Sequence, residues 1–499
     1  MADATDKKKP VSPPAPPCTL VIFGAGGDLT KRLLMPALYN LAGGGLLDPN
    51  FSVLGVDHNP LTDEGWRQDL TDTMASFTHD PSAEFHPDKI DENAWGFVRE
   101  RLHVMQGDFS DDATYRALAE RVQGNAVFYL AVAARFFAPV VEGLGKAGLL
   151  KQADGAFRRV VIEKPFGSDL ASAKALNAKI LAQGEESQFY RIDHFLGKET
   201  VQSIMAIRFA NGMLEPVWRR EHVSHVEITA SETIGVEARG GFYEPTGALR
   251  DMVPNHLFQL LAMVAMEPPN SFDAEAVRGE KAKLVEAVRP IRPEDAVRGQ
   301  YRAGRVDGRD VQAYRDEPDV AQNSRTETFV ALKLQIENWR WAGVPFYLRT
   351  GKRMAKHHTE IAVHFRPPPF RLFSDTPVTE LTPNVLRLRI SPDPGATTTL
   401  NVKRPGPQMH IAPVENGFRY GDFFASSPTV GYETLIYDCM MGDTTLFQRA
   451  DQIEAGWAAV EPLLQAWKDA PVVPYEAGSA GPKEADDLLA RDGHTWLPL

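Results

Sequence analysis

From Cys18 to about residue 194 the chain repeats one pattern, a short apolar run followed by a stretch with helical spacing. The runs are "CTLVIFGA", "FSVLGVD", "LHVMQGD", "AVFYLAV", "RRVVIEKPFG" and "QFYRIDH". After the first, Leu33, Leu34, Ala37, Leu38 and Leu41 fall on one face of a helix. Strands joined by helical crossovers mean a parallel, doubly wound α/β sheet. The pattern changes near residue 200. "TETFVALKLQIEN" alternates, with Val330, Leu332, Leu334 and Ile336 on one face and Ala331, Lys333, Gln335 and Glu337 on the other. "EIAVHF" and "NVLRLRI" do the same, and "HVSHVEITASE" and "TTLNVK" do so more weakly. This predicts a larger α+β domain with a mostly antiparallel sheet covered on one face. "RDMVPNHLFQLLAMVAM" and "YETLIYDCMMGDTTLF" are helical segments expected to cover it. The expected division is a disordered tail over 1–17, a dinucleotide-binding domain of Rossmann type over 18–199, and an α+β substrate and oligomerisation domain over 200–499.

At 499 residues one hydrophobic core is not expected. The net charge of -12 argues against nucleic acid and against anionic membrane as partners. Cys18 and Cys439 form no disulfide framework and no zinc spacing, so no metal is assigned, and a reducing, cytoplasmic setting fits. The start, "MADATDKKKPVSPPAPP", lacks an apolar signal region and is too polar and proline-rich to bury surface. No run of about 18 apolar residues is present for a spanning helix.

Several segments could carry chemistry. "GAGGDLTKR", residues 24–32, follows a strand and opens a helix. Gly24, Gly26 and Gly27 allow a tight turn and close approach of a pyrophosphate, with the helix N–H groups facing the anion. At the end of the second strand, Asp57 suits a ribose 2′-hydroxyl and repels a 2′-phosphate, which a protonated His58 would partly offset; a turn-starting aspartate is the alternative. "EKPFG", residues 163–167, ends a strand and aims Lys164 at the carboxyl edge of the sheet. "RIDHFLGKE", residues 191–199, mixes five ionisable groups with Ile192, Phe195 and Leu196, as a pocket for a charged ligand would. His256 lies in the apolar helix "RDMVPNHLFQ", where a core histidine is the plainer reading. "VPFYLRTGKRMAKHH" offers Arg349, Lys352, Arg353 and Lys356 as an anion clamp or a solvated loop.

In order along the chain, the G-D-L-x-K-R loop, "EKPFG", "RIDHFLGKE", "GGFYEPTGALRDM", "NHLFQ", "VRGQY", "NWRWAGVPFYLRTGKR" and "YETLIYD" resemble the glucose-6-phosphate dehydrogenase family, bacterial type. The resemblance runs from residue 18 to about residue 450. It implies oxidation of glucose 6-phosphate at C1 to 6-phosphogluconolactone, the opening reaction of the pentose phosphate pathway. It further implies NADP as cofactor, with NAD also admitted by Asp57 and His58, and a homodimer or homotetramer. By position, it makes His256 the general base and Asp193 its hydrogen-bonding carboxylate. His194 and Lys198 would take the phosphate, and Lys164 would sit between sugar and nicotinamide. Glu232 and Asp251 would hold sugar hydroxyls, with Lys352 and His357 as further substrate residues. Gly24, Gly26, Gly27, Asp28, Leu29, Asp57 and His58 would line the cofactor. An imidazole suits the proton transfer near neutral pH, and a carboxylate partner fixes its tautomer. The chain departs from the family's usual pattern at Phe195 (for Tyr), Leu33 (for Lys), Pro254, His357, His58 and in "AVAARFF", which lacks paired prolines. A related dehydrogenase of non-phosphorylated sugars and a non-catalytic NAD(P)-binding paralogue are the competing readings. Lys198 and Lys352 argue against the first, and Asp193, His194, Lys198 and His256 against the second.

Overall fold

The computed structural model describes residues 12–80, 83–153, 155–370, 372–373, 381–424 and 429–499. The chain forms two compact units that interleave in sequence. One draws on residues up to Phe166, Ala175–Gly197 and Ser427–Gln448, and the other on Gly167–Lys174, Lys198–Ser426 and Arg449–Leu499.

The first unit is built on β1 (Thr19–Phe23), β2 (Ser52–Asp57), β3 (Leu102–Gln106), β4 (Ala126–Leu130), β5 (Arg158–Ile162) and β6 (Phe189–Arg191). All pairs are parallel, in the order β3-β2-β1-β4-β5-β6. Leu20, Val21, Ile22 and Phe23 of β1 are all fully buried, as a strand covered on both faces requires. The strand order reverses direction between β1 and β4, which opens a crevice at their carboxyl ends. Gly55 lets a helix lie close on β2. A Cβ there would sit 2.6 Å from Ala25 Cβ and 2.9 Å from Trp66 Cη2. Trp66, in the helix Asp63–Ser76, donates from Nε1 to the Ala25 carbonyl at 3.1 Å and so fixes the loop after β1.

Of the segment expected to be a tail, residues 1–11 lie outside the described residues. Over 12–17 the backbone is docked. Ala15 N–H donates to the Leu46 carbonyl at 2.9 Å, Asn125 Nδ2 donates to Pro17 O at 3.0 Å, and Tyr437 OH donates to Pro13 O at 2.7 Å. The prolines offer carbonyls to neighbours without needing a core of their own. The helix Tyr432–Met441 corrects another expectation. It belongs to this unit, whereas it was expected with the antiparallel sheet. Asn40 Nδ2 donates to Glu433 Oε1 at 2.6 Å, and Arg159 Nη1 reaches the Cys439 and Met440 carbonyls at 2.6 and 2.7 Å. Its apolar face was legible, but the surface that face meets is set by these long-range partners.

The second unit holds β7 (Val223–Ser231), β8 (Ala296–Arg302), β11 (Phe329–Leu334), β12 (Phe346–Gly351), β13 (His358–Phe365), β14 (Val385–Ser391), β15 (Gly395–Lys403), β16 (Ile411–Arg419) and β17 (Val473–Glu476). They form a nine-stranded sheet in the order β16-β15-β14-β13-β7-β12-β11-β8-β17. Its pairs are antiparallel except for β7 with β12 and β8 with β17. A separate hairpin joins β9 (Gly304–Val306) to β10 (Arg309–Val311). β14 alternates as expected, with Leu386, Leu388 and Ile390 buried. The centre of the sheet does not. β12 is buried along its whole length, and Ala331 of β11 is as fully buried as Leu332. The expectation of one covered face therefore holds at the β14 side and fails at the centre. There Phe329 and Ala331 share a core with Tyr301, Tyr347, Leu488 and Leu489, the last two from the C-terminal helix Lys483–Ala490.

Candidate active site

In the first unit the glycine turn leaves β1 with Gly24 at φ +89°, and a Cβ on Gly24 would lie 2.4 Å from the Ala131 carbonyl oxygen. Only glycine fits there. The turn closes on itself, with Gly27 N–H donating to Gly24 O at 3.1 Å and Thr30 Oγ1 donating to the same carbonyl at 3.0 Å. Leu29 precedes the helical turn Thr30–Leu34. Asp28 and Arg32 pair at 3.8 Å on the exposed surface. A backbone stripped of side chains at the start of a helix fits a pyrophosphate.

Asp57 works for this turn. Its Oδ2 accepts the Gly26 N–H at 2.9 Å and its Oδ1 accepts the Asn59 N–H at 3.1 Å. The residue is 6 % exposed, so the carboxylate ties the end of β2 to the glycine turn and starts the following turn. His58 stands outward, with Nδ1 3.4 Å from Asp57 Oδ1 and its side chain 71 % exposed.

At the end of β5, Glu163 Oε1 accepts the Tyr129 hydroxyl at 2.5 Å, and Tyr432 bonds the same carboxyl. Desolvation pushes the Glu163 carboxyl up to about 7, against the Tyr129 hydrogen bond and the Lys164 charge, which pull it down. Burial likewise raises the phenols of Tyr129 and Tyr432 far above their ordinary range. The Lys164–Pro165 peptide is cis. Asp193 is buried at 1 % exposure, and its Oδ1 accepts the Phe195 N–H at 2.9 Å. The His194 ring lies parallel to Tyr432 with centroids 6.5 Å apart, and meets Phe195 edge-on at 5.2 Å. Arg191 is fully buried and pairs with Glu186 at 2.7 Å, so it serves the fold. The stretch 191–199 divides after Gly197, and Lys198 and Glu199 belong to the second unit.

In the second unit Lys352, at the end of β12, meets Glu232 just past β7. The Nζ to Oε2 distance is 2.5 Å. Parallel pairing of these strands sets them side by side. Tyr243 offers its ring face to the Lys352 ammonium at 5.5 Å, and the charges of Asp251, Glu327 and Glu232 all bear on its phenol. Burial lowers the His357 imidazole, with Glu232 raising it and Lys198 and His358 lowering it further. His357 Nε2 lies 3.0 Å from Ser391 Oγ. Lys198, Glu232, Asp251, Lys352 and His357 thus share one polar neighbourhood. His256 is buried in a π-helical turn, Val253–Leu257, where Asn255 Nδ2 donates back to the Arg250 and Asp251 carbonyls at 3.2 and 3.3 Å. Such turns often mark functional positions.

Two family models match the chain. One, described as glucose-6-phosphate dehydrogenase, NAD binding domain, covers residues 21–203. The other, glucose-6-phosphate dehydrogenase, C-terminal domain, covers residues 205–497. The chain belongs to the glucose-6-phosphate dehydrogenase family. Glucose-6-phosphate 1-dehydrogenase of Chlamydia muridarum is 43% identical over 503 residues, covering 98% of each chain. The enzyme of that name from Bacillus subtilis is 42% identical over 491 residues, covering 96% of this chain and 98% of its own. A solved glucose-6-phosphate dehydrogenase in complex with its substrate glucose-6-phosphate superposes with a TM-score of 0.88 at 30% identity, covering 98% of this chain and 100% of its own.

Family membership accounts for the motifs but not for every polar group around them. Tyr129 and Tyr432, which enclose Glu163, were legible only as members of a strand and a helix. Glu163 itself stood in "EKPFG" beside the lysine that drew attention. Glu327 was also missed. It accepts the Leu249 N–H at 3.1 Å, burial raises its carboxyl, and a Cβ on Gly247 would lie 2.4 Å from its Oε1. A glutamate just before the apolar run in "TETFVALKL" was the available signal.

Proposed function

We propose that this chain is a glucose-6-phosphate 1-dehydrogenase, oxidising glucose 6-phosphate at C1 to 6-phosphogluconolactone as the opening reaction of the pentose phosphate pathway, in the cytoplasm and as a homodimer or homotetramer. The observation that carries the reading is the second unit's polar neighbourhood. Lys352 and Glu232 are paired at 2.5 Å, with Lys198, Asp251 and His357 around them. Carboxylates suit the sugar hydroxyls. Cations suit a phosphate dianion, for which charge-assisted hydrogen bonds are the strong ones. A dehydrogenase of non-phosphorylated sugars has no use for Lys198 and Lys352 as a cationic clamp.

Oxidation at C1 requires a group to take the hydroxyl proton, and His256 is assigned that role. The roles of His256 and Asp193 rest on the family's sequence pattern, as do those of His194 and Lys198 toward the phosphate. Lys164, at the end of β5, is assigned to the nicotinamide side of the substrate. The nicotinamide dinucleotide supplies the hydride acceptor. Gly24, Gly26 and Gly27, with Asp28 and Leu29, would hold its pyrophosphate. NADP is the assigned cofactor and NAD the second. Asp57 is already bonded to two backbone N–H groups, which limits its use against a 2′-phosphate, and His58 faces solvent beside it.

Initial rates with glucose and glucose 6-phosphate, each with NAD and NADP, test the reading. Turnover is expected with the phosphorylated sugar. His256→Asn should retain substrate binding and lose about 10² to 10⁴ in rate. Retention of more than about a tenth of the rate would return His256 to a core role.

A further inference from the structure

A cavity of about 400 Å³ opens in the second unit, and no residue that lines it has a substrate or cofactor role above. It lies where β8, the approach to β11 and the end of the long helix Ala450–Trp467 come together. Four cations line it: Arg250, Arg298, Arg325 and Lys468. The three arginines are anchored on backbone carbonyls, which position a guanidinium without cancelling its charge. Arg250 Nε donates to Ser168 O at 3.0 Å, Arg325 Nη1 to Asp469 O at 2.8 Å, and Arg298 Nη2 to Ala470 O. Arg298 is 7 % exposed, and its Nε has no hydrogen-bond partner among the described residues. Its guanidinium lies over the Trp467 ring at 5.4 Å, and its carboxylate neighbour, Glu327, stands off at 4.0 Å. Burial lowers the Arg298 guanidinium, Glu327 raises it, and the like charge of Arg325 lowers it again. The other two carboxylates of the lining serve backbone donors. Asp169 Oδ1 accepts the Ser172 N–H at 2.7 Å, and Glu461 Oε2 accepts the Leu170 N–H at 3.2 Å.

We propose that this cavity is an effector site for a small anion that carries a phosphate group and a second acidic group. Its volume suits a compact metabolite. Three guanidinium groups offer more donors than one carboxylate accepts bidentately, and they match the three oxygens of a phosphate. Lys468 supplies a point charge for the second group. The same residues connect the cavity to the helix Gly247–Met252, which carries Asp251. Glu327 accepts the Leu249 N–H through Oε1 at 3.1 Å and the Ala248 N–H through its backbone carbonyl at 2.9 Å. Arg298 and Arg250 are the charges that favour its ionised form. An anion that engages those two arginines withdraws them from Glu327, weakens its hold on this helix and so loosens Asp251 toward the sugar. This coupling rests on the role given to Asp251 above, whereas the binding site does not.

Binding is tested by calorimetry with 3-phosphoglycerate as probe, on the full chain carrying Lys198→Ala, which removes a phosphate ligand of the catalytic site. One probe per chain is expected. Arg325→Gln and Arg298→Gln should each weaken it at least about tenfold, and glycerate, which lacks the phosphate, should bind at least about tenfold more weakly. Arg325 is exposed, so its variant keeps the test open if Arg298→Gln does not fold by circular dichroism. No saturable binding, unchanged binding in folded Arg325→Gln, or equal binding of glycerate overturns the site. Coupling is tested by initial rates on the chain with Lys198 intact. The probe should raise the KM for glucose 6-phosphate at least about twofold, and Arg325→Gln should abolish that rise. An unmoved KM overturns the coupling, and so does a rise that survives the substitution, which would mean competition at the catalytic site. Absence of turnover would overturn the dehydrogenase reading and leave the calorimetry to decide the site.

Discussion

Glu163→Gln should make the protein more stable at pH 8 relative to wild type than it does at pH 5. The native carboxyl is pushed from 4.5 to about 7 by burial. Between those values the folded state holds a proton that the unfolded state has lost. Stability from this group is therefore fully present below about pH 4.5, falls as pH rises and is gone above about pH 7. At 1.36 kcal/mol per pH unit the whole window corresponds to about 3 kcal/mol. Solvent reaches part of the residue, and screening leaves about 2 kcal/mol to be read between pH 5 and pH 8. Glutamine carries no proton to lose and still accepts the Tyr129 hydroxyl. Urea unfolding of both proteins at the two pH values gives the comparison, because other titrating groups cancel in the difference. Wild type should lose about 2 kcal/mol against the variant on going from pH 5 to pH 8. A difference that stays constant, or a variant that weakens at pH 8, would mean that Lys164 holds the carboxylate ionised and that the desolvation argument is wrong.

Asp57→Ala should remove the acceptor of the Gly26 and Asn59 N–H groups. Bonds to a charged group contribute about 1.5–3 kcal/mol each, so NAD and NADP affinities should both fall at least about tenfold by fluorescence titration. A selective gain for NADP would instead restore a ribose role for Asp57. His58→Arg, on an exposed side chain, should shift the ratio of kcat/KM toward NADP; an unmoved ratio would place 2′-phosphate recognition elsewhere. Lys198→Ala should raise the KM for glucose 6-phosphate about tenfold and leave glucose little affected, while equal losses on both would contradict a phosphate role.

The parallel sheet was legible because its signal is local. Each strand is a short apolar run, and helical spacing between runs permits few topologies. The second sheet was legible strand by strand but not in its pairing. Alternation shows which residues share a face, and it is silent on whether β7 lies parallel to β12 or whether both faces are covered. Ala331 illustrates the limit. An alanine opposite Leu332 reads as the outer face of a half-buried strand, yet it is buried because Leu488 and Leu489 return from the far end of the chain. The helix Tyr432–Met441 failed for the same reason. Its partners, Asn40 and Arg159, lie hundreds of residues away.

The candidate site divides along a similar line. Residue type and spacing identified groups able to do chemistry, and they could not say which of those groups the fold itself consumes. In "RIDHFLGKE" the five charges looked alike as ligand contacts. Arg191 is spent on Glu186, whereas Lys198 lies in reach of His357. At the end of β2, a carboxylate in the place that ordinarily meets a ribose is held by two backbone N–H groups of its own chain. Both readings of Asp57 were open from sequence, because an aspartate that starts a turn and one that accepts from a sugar occupy the same position. What separates them is the distance to Gly26, which depends on how closely the glycine turn approaches β2. That approach is set in turn by Gly55 and Trp66 packing behind it. Cofactor preference in this chain is therefore coupled to packing under the loop as well as to the charges displayed on it.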